Sequence, residues 1–361
     1  MENRRAIIDL LKVRYPIIQA PMAGSDNSEF VAAASASGIL GSLGAQYRTA
    51  EEIKIAAADI RSRTNKPFAV NLFALKKRGL PEASEIETSR QALMKYYDRF
   101  QITPPTNGSV RLINAEEQLG AALEARVPVL SFTLGILSAE WIEVFKRNGT
   151  VLLGTATNVK EALVLEQAGV DAIVAQSCEA GGHRGTFIGD SESSLIGGFA
   201  LIPQIVDAVC LPVIAAGGIM DGRGIAAALS LGASAVQMGT AFLTTTECPV
   251  HANYKEAVQK ADADDTVITS VFSGGAARGI RNKFILENDQ DGAPLLPFPY
   301  QNLLTSSIRK AASKSGEIDY TNLWSGQNGR LAKTIAIKDL VDSLVSDTRQ
   351  KLNALSNSWS E

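Results

Sequence analysis

Pro212-Val213-Ile214-Ala215-Ala216-Gly217-Gly218 opens the unit that decides the fold: an amphipathic stretch, Gly222 to Leu231, follows it, and then a second apolar run, Ala235-Val236-Gln237-Met238. Such runs are too short and too continuously apolar for strands wet on one face. They have the pattern of parallel strands covered on both faces. Six earlier runs repeat it: Ile17 to Ala20, Gly38 to Ser42, Phe68 to Leu72, Pro128 to Phe132, Thr150 to Leu153 and Ala172 to Ala175. Helical stretches follow several of them, at Ser28 to Ser37, Ala50 to Arg63, Ala139 to Arg147 and Asn158 to Ala168. Eight strands alternating with helices inside roughly 250 residues predict a (β/α)8 TIM barrel, here residues 1–245. A doubly wound open sheet is the competing arrangement.

Two segments interrupt the repeat. Residues 74–110, polar and ending in Thr103-Pro104-Pro105-Thr106-Asn107-Gly108, read as an insertion after the third strand. Residues 246–330 read as a small C-terminal cap of helices and irregular stretches. Residues 331–361 carry a last helix, Ala336 to Ser356, packed on the barrel.

Composition narrows the function classes. Apolar content of 45% with 20% charged residues is that of an ordinary globular protein. A net charge of −3 offers no basic field for nucleic acid or an anionic membrane. No apolar run reaches the roughly 18 residues that span a bilayer. Met1-Glu2-Asn3-Arg4-Arg5 leads into no signal-peptide core, so a cytoplasmic protein, monomer or homodimer, is expected. Three cysteines read as reduced thiols, and with two histidines and no Cys-x-x-Cys a metal site is not expected.

In a TIM barrel the chemistry lies at the C-terminal ends of the strands. The first strand ends in Ala20-Pro21-Met22-Ala23 and the third at Asn71. The sixth ends at Gln176 and leads through Gly181-Gly182 to His183. The seventh ends in Gly217-Gly218 and the eighth in Gln237-Met238-Gly239-Thr240. The last two ends can turn bare backbone N–H groups and a hydroxyl toward a phosphate. Asn71 and Gln176 can each donate and accept at the edge of a heterocycle. A phosphate plus a planar ring with polar edges describes a mononucleotide-sized cofactor, and FMN fits. The alternative is that these glycines only make tight turns.

His183 sits in what reads as a flexible loop, Gln176 to Gly185, with a side-chain pKa near working pH. Arg184 beside it either binds an anion or faces solvent. Cys178 is a weak nucleophile candidate, because nearness in sequence does not supply geometry. His251, before a polar helix, reads as a surface residue.

These residues resemble the class I bacterial nitronate monooxygenases, formerly nitropropane dioxygenases. The resemblance runs through Gln19 to Gly24, Lys66 to Phe73, Ala180 to Gly185, Gly217 to Gly224, Gln237 to Phe242, Ser273 to Gly279 and Trp324 to Gln327. It implies FMN held by Asn71, Gln176, Gly181, Gly218 and Gln237 to Thr240, with His183 beside flavin and substrate. It implies oxidation of a small anionic nitronate, propionate 3-nitronate foremost, by O2 to nitrite and a carbonyl compound. Tyr300 is the candidate phenol of the substrate pocket, with Phe298 as the alternative occupant. A flavin-dependent enoyl-acyl carrier protein reductase is the competing activity, and a non-catalytic flavin-binding barrel the third.

Overall fold

The computed structural model describes residues 2–75, 79–106, 113–292 and 294–358. Lys76 and the Asn107-Gly108 end of the expected insertion lie outside these, as do residues 359–361 of the expected C-terminal segment. Six parallel strands come first: β1 (Ile17–Gln19), β2 (Gly41–Gly44), β3 (Phe68–Phe73), β4 (Val129–Thr133), β5 (Val151–Ala156) and β6 (Ala172–Gln176). A two-residue strand, β7 (Gly182–His183), stands apart, and β8 (Val213–Ala216) and β9 (Ala235–Met238) return to the same sheet. Its order is β2-β3-β4-β5-β6-β8-β9-β1, every pairing parallel. An Ile18–Leu40 bridge brings β1 back beside β2 and closes the ring. The fold is the (β/α)8 TIM barrel. A side chain reinforces the closure: the buried Gln19 amide donates to the Ser42 carbonyl at 3.2 Å and accepts from the Ser42 N–H at 2.9 Å.

Alternation along the strands divides the apolar side chains. Ile18, Ala69, Val129, Leu153, Val174 and Ile214 form one cluster with Ile7 and Leu11 of the helix Glu2–Leu11. A larger cluster, with Val70, Leu130, Ile173 and Val236 of the strands and Ile53, Phe145 and Leu165 of the helices, lies between sheet and helices. Burying each of the Val, Leu, Ile and Phe side chains contributes about 1.5–3 kcal/mol. The helices begin where the sequence supplies caps: Asn27, Thr49, Ser138, Asn158 and Asp221 each accept a first-turn N–H. Among the described residues no helix is long and apolar enough to cross a membrane.

The structure departs from the sequence reading in three places. The second strand is Gly41–Gly44 rather than Gly38 to Ser42, because Gly38 (φ +94°) is spent on the turn that ends the preceding helix. The helix after β6 is Gly198–Ala208, whose mean apolarity and internal Pro203 hide its period. Beyond β9, β10 (Thr266–Thr269) and β11 (Ala277–Ile280) make an antiparallel sheet, order β10-β11-β7, where helices and irregular chain were expected. Residues after the barrel therefore pair with the loop that leaves β6. The helices Ala83–Ala92 and Met94–Arg99 of the insertion share a second core with these late elements. There Leu93, Tyr96 and Tyr97 pack with Phe272, Phe284 and Leu304, and the Tyr97 hydroxyl donates to the Leu304 carbonyl at 2.6 Å.

The loop after β6 is anchored from outside by Glu161, fully buried at the start of the helix Val159–Ala168. One carboxylate oxygen accepts from Thr157 N–H at 2.6 Å and Thr157 Oγ1 at 2.8 Å. The other accepts from Phe187 N–H at 2.5 Å and Ile188 N–H at 2.8 Å. Glu161→Gln turns an NH2 group toward one of these pairs of donors. It should lower the free energy of unfolding by about 2–4 kcal/mol, read from the urea midpoint, and a change under about 0.5 kcal/mol would refute the anchor.

Candidate functional site

The C-terminal ends of the ring strands and the segment above them enclose a cavity with about 1300 Å³ of space between atoms, its mouth included. Ala20, Pro21, Met22, Ala23, Asn71, Gln176, Gly181, Gly182, His183, Gly217, Gly218, Gln237, Met238, Gly239 and Thr240 all line it. The loop after β1 is held by Asp26, whose Oδ2 accepts from Met22 N–H at 2.9 Å and Gly44 N–H at 2.7 Å. Gly44 has to be glycine, since a Cβ there would lie 2.3 Å from the Ala23 nitrogen.

One end of the cavity is a cradle of backbone. Gly217 (φ +115°) and Gly218 (φ +68°) follow β8, and Gly239-Thr240 follow β9. The neighbouring helix Gly222–Ser230 does not contribute its N-terminus, because Asp221 already accepts from Arg223 and Gly224 N–H there. A late segment closes the cradle. Asn328 Nδ2 donates to the Gly218 carbonyl at 2.6 Å, and Gly326 N–H donates to Thr240 Oγ1 at 2.9 Å.

The loop carrying His183 is pinned, not flexible. Gly182 and His183 pair with Arg278 and Ala277 of β11. Arg184, 2% exposed, does not face solvent, and it is not among the residues that line the cavity. Its guanidinium donates to the carbonyls of Ser177 (2.6 Å), Gln176 (3.1 Å) and Ser194 (3.3 Å), and Arg278 Nε donates to that of Cys178 (2.9 Å). Burial pulls Arg184 down to about 10, which still leaves it charged. Gln176 is engaged in the same loop, donating to the His183 carbonyl at 3.0 Å and accepting from Gly185 N–H at 2.8 Å. Asn71 Nδ2 donates to Ser131 Oγ at 2.9 Å. Each amide keeps one N–H free for a ligand.

His183 is half-buried and sits in an aromatic box. Its ring centroid lies 5.6 Å from Phe73, 5.4 Å from Phe298 and 5.8 Å from Trp324, and Nε2 is 2.9 Å from Ser273 Oγ. Burial, assisted by the charge of Arg309, holds the imidazole down at about 4, so it is neutral at ordinary pH. Tyr47 also lines the cavity; burial raises its phenol, against an opposing pull from Arg309, and keeps it a proton donor.

Comparison with known proteins bears on this site. The family model described as nitronate monooxygenase matches residues 4–347. The chain belongs to the nitronate monooxygenase family. A probable nitronate monooxygenase of Staphylococcus haemolyticus is 44% identical over 351 residues, covering 96% of this chain and 97% of that protein. The solved nitroalkane oxidase of Streptomyces ansochromogenes is 37% identical with a TM-score of 0.89, covering 97% of this chain and 99% of that one. FabK from Thermotoga maritima is more distant, at 28% identity and a TM-score of 0.76, with 98% of each chain covered. Family membership makes the protein a flavin-dependent oxidoreductase.

Within this family framework, not every expected residue reaches the cavity. Tyr300 begins the helix Tyr300–Ser315 and is 5% exposed inside the second core with Leu304 and Tyr96. Phe298 touches His183 and Phe73 but is not part of the cavity wall. Cys178 lies outside the wall, where burial and Glu179 push its thiol up. His251 caps the helix Ala252–Lys260. Residues the sequence reading missed include Tyr47 after β2, Ser131 and Thr133 of β4, Thr155 of β5, and Asn328 of the late segment, while Trp324 and Gly326, quoted there only as motif residues, also line the cavity. Considering all eight strand ends instead of five would have found the first four.

Two buried groups give folding opposite pH dependences. The unfolded chain protonates His183 near 6.5 and the folded chain only near 4, so its contribution is full above 6.5 and is lost as pH falls to 4. Burial lifts Asp26 from its ordinary 3.8 to about 7, against two N–H bonds and Arg48, so its cost grows as pH rises through that range. In flavin-free protein the stability of His183→Asn relative to wild type should rise as pH is lowered from 6.5 to 4. That of Asp26→Asn should rise as pH is raised from 3.8 to 7. Differences in urea midpoint that stay flat with pH would contradict the buried neutral imidazole and carboxyl.

Proposed function

We propose that the cavity holds FMN and that the protein oxidises alkyl nitronates, propionate 3-nitronate foremost, with O2 to nitrite and a carbonyl compound. The donor set supports the cofactor. Bare glycine backbone at Gly217-Gly218 and Gly239-Thr240 suits a phosphate, and the amides of Asn71, Gln176 and Gln237 suit the polar edge of a ring. The Asn328 and Gly326 contacts close the cradle behind a terminal phosphate, which favours FMN over a flavin dinucleotide.

The observation that carries the activity is a neutral His183 on the cavity wall, boxed by aromatic rings and distinct from the glycine cradle. When bound, the flavin supplies electron transfer between substrate and O2. The side chains do the rest. A nitronate already lacks its α-proton, so the site needs only to orient the anion, a task for the Tyr47 phenol under the positive field of Arg309. For a neutral nitroalkane, His183 can take the α-proton, and the C–H electron pair moves into the nitro group. Phe73, Phe298 and Trp324 keep bulk water from the imidazole.

The test combines cofactor and turnover. Heat-denatured protein should release FMN and no FAD, and an oxygen electrode should register consumption with propionate 3-nitronate. His183→Asn should retain its flavin yet turn over neutral nitroalkane roughly 10²–10⁴-fold more slowly, with a smaller loss on nitronate. Rapid anaerobic reduction of the flavin by NADPH, followed by reoxidation with an enoyl thioester, would replace this reading with the enoyl reductase.

A further inference from the structure

His183 Nε2 is not bonded to a carboxylate or a backbone carbonyl but to a hydroxyl with two further neighbours. Ser273 Oγ lies 2.9 Å from His183 Nε2, 3.1 Å from the Gly275 carbonyl and 3.2 Å from the Gly275 N–H. A serine hydroxyl has one proton and two acceptor lone pairs. The Gly275 N–H can only donate and its carbonyl can only accept. If the hydroxyl proton went to His183, the carbonyl contact would set two oxygens' lone pairs against each other. If it goes to the carbonyl, all three contacts become hydrogen bonds, and the imidazole must then supply the proton between Nε2 and Oγ.

The surroundings fix this arrangement. Ser273 is 1% exposed, so water does not compete for its hydroxyl. Gly274 (φ +80°) has no room for a Cβ, which would fall 2.1 Å from the Leu296 carbonyl oxygen, so the Ser273–Gly275 turn cannot relax outward. A Cβ on Gly275 would sit 3.4 Å from His183 Cδ2 and 3.9 Å from Nε2. The Cδ2–Nε2 edge of the ring therefore faces the turn, and Nδ1 is on the other edge.

We propose that Ser273 is a positioning residue that holds His183 in its Nε2–H tautomer, leaving the lone pair of Nδ1 as the atom that meets the substrate. Nδ1 accepts the α-proton of a neutral nitroalkane while the C–H pair delocalises into the nitro group as nitronate. This rests on the reading of His183 as the base of the site, and the test separates the two claims. Only two histidines occur in the chain, so a ¹⁵N-histidine-labelled, flavin-bound sample gives two imidazole spin systems, and His183→Asn assigns them. Wild-type His183 should be a single neutral Nε2–H tautomer at neutral pH. Ser273→Ala should show both tautomers in exchange, and Ser273→Thr, which keeps the hydroxyl, a single one.

In the kinetic arm, Ser273→Ala should lower kcat for neutral nitroalkane by about tenfold with KM and flavin content unchanged, and affect pre-formed nitronate much less. An Nδ1–H tautomer in wild type, or a Ser273→Ala spectrum identical to wild type, overturns the proposal. A loss equal on both substrates and accompanied by lost flavin overturns it as well, reducing Ser273 to a packing role. The predicted tautomers without any turnover of nitroalkane or nitronate would leave the positioning role standing and refute the catalytic reading instead.

Discussion

The buried guanidinium of Arg184 is the constraint on which the site depends. A chain leaving a barrel strand has carbonyls with no ladder partners, and burying them unpaired costs about 1–3 kcal/mol each. Arg184 donates to three carbonyls of this segment, of which those of Ser177 and Ser194 also accept a backbone N–H, and Arg278 donates to a fourth. Both arginines belong to the strand pair that joins β7 to β11: Arg278 sits within β11 and Arg184 directly follows β7. The same bonds that satisfy the loop thus tie the barrel to the late segment. His183, one residue before Arg184, takes its place from this lock, without a helix or a long strand of its own.

Electrostatics follows from the same architecture. Among the described residues, Arg184, Arg278 and Arg309 make no ion pair with a carboxylate. Burial lowers the pKa of all three, and a guanidinium keeps its charge inside proteins. Cationic charge beneath and beside a cavity favours an anionic ligand, and Arg309 acts on both His183 and Tyr47. The neutral imidazole adds no charge of its own and remains a proton acceptor.

Much of this was legible in the sequence, because a parallel barrel writes its strands as short, continuously apolar runs and its caps as Asn, Ser, Thr or Asp. The helices Ala50–Arg63 and Ala139–Arg147 were read to the residue. The glycine cradle was legible because only glycine adopts φ of +115° freely, as at Gly217. Contacts between distant segments were not. Tyr300 resembled a pocket phenol, yet the second core formed with the insertion buries it, and no local pattern reports that Leu93, Tyr96 and Tyr97 share a core with the helix of residues 300–315. Tyr47 was missed although it follows a strand end. Arg184 read as either ligand-binding or solvent-facing, because its partners are backbone carbonyls that carry no signature in sequence.

A crystal structure of the protein with FMN bound tests the central claim most directly. The phosphate should lie against Gly217-Gly218 and Gly239-Thr240, behind Asn328. The ring should lie between the Ala20–Ala23 loop and His183, with the Arg184 bonds intact. Density placing the phosphate away from β8 and β9, or the His183 loop released from β11 when the flavin binds, would contradict it.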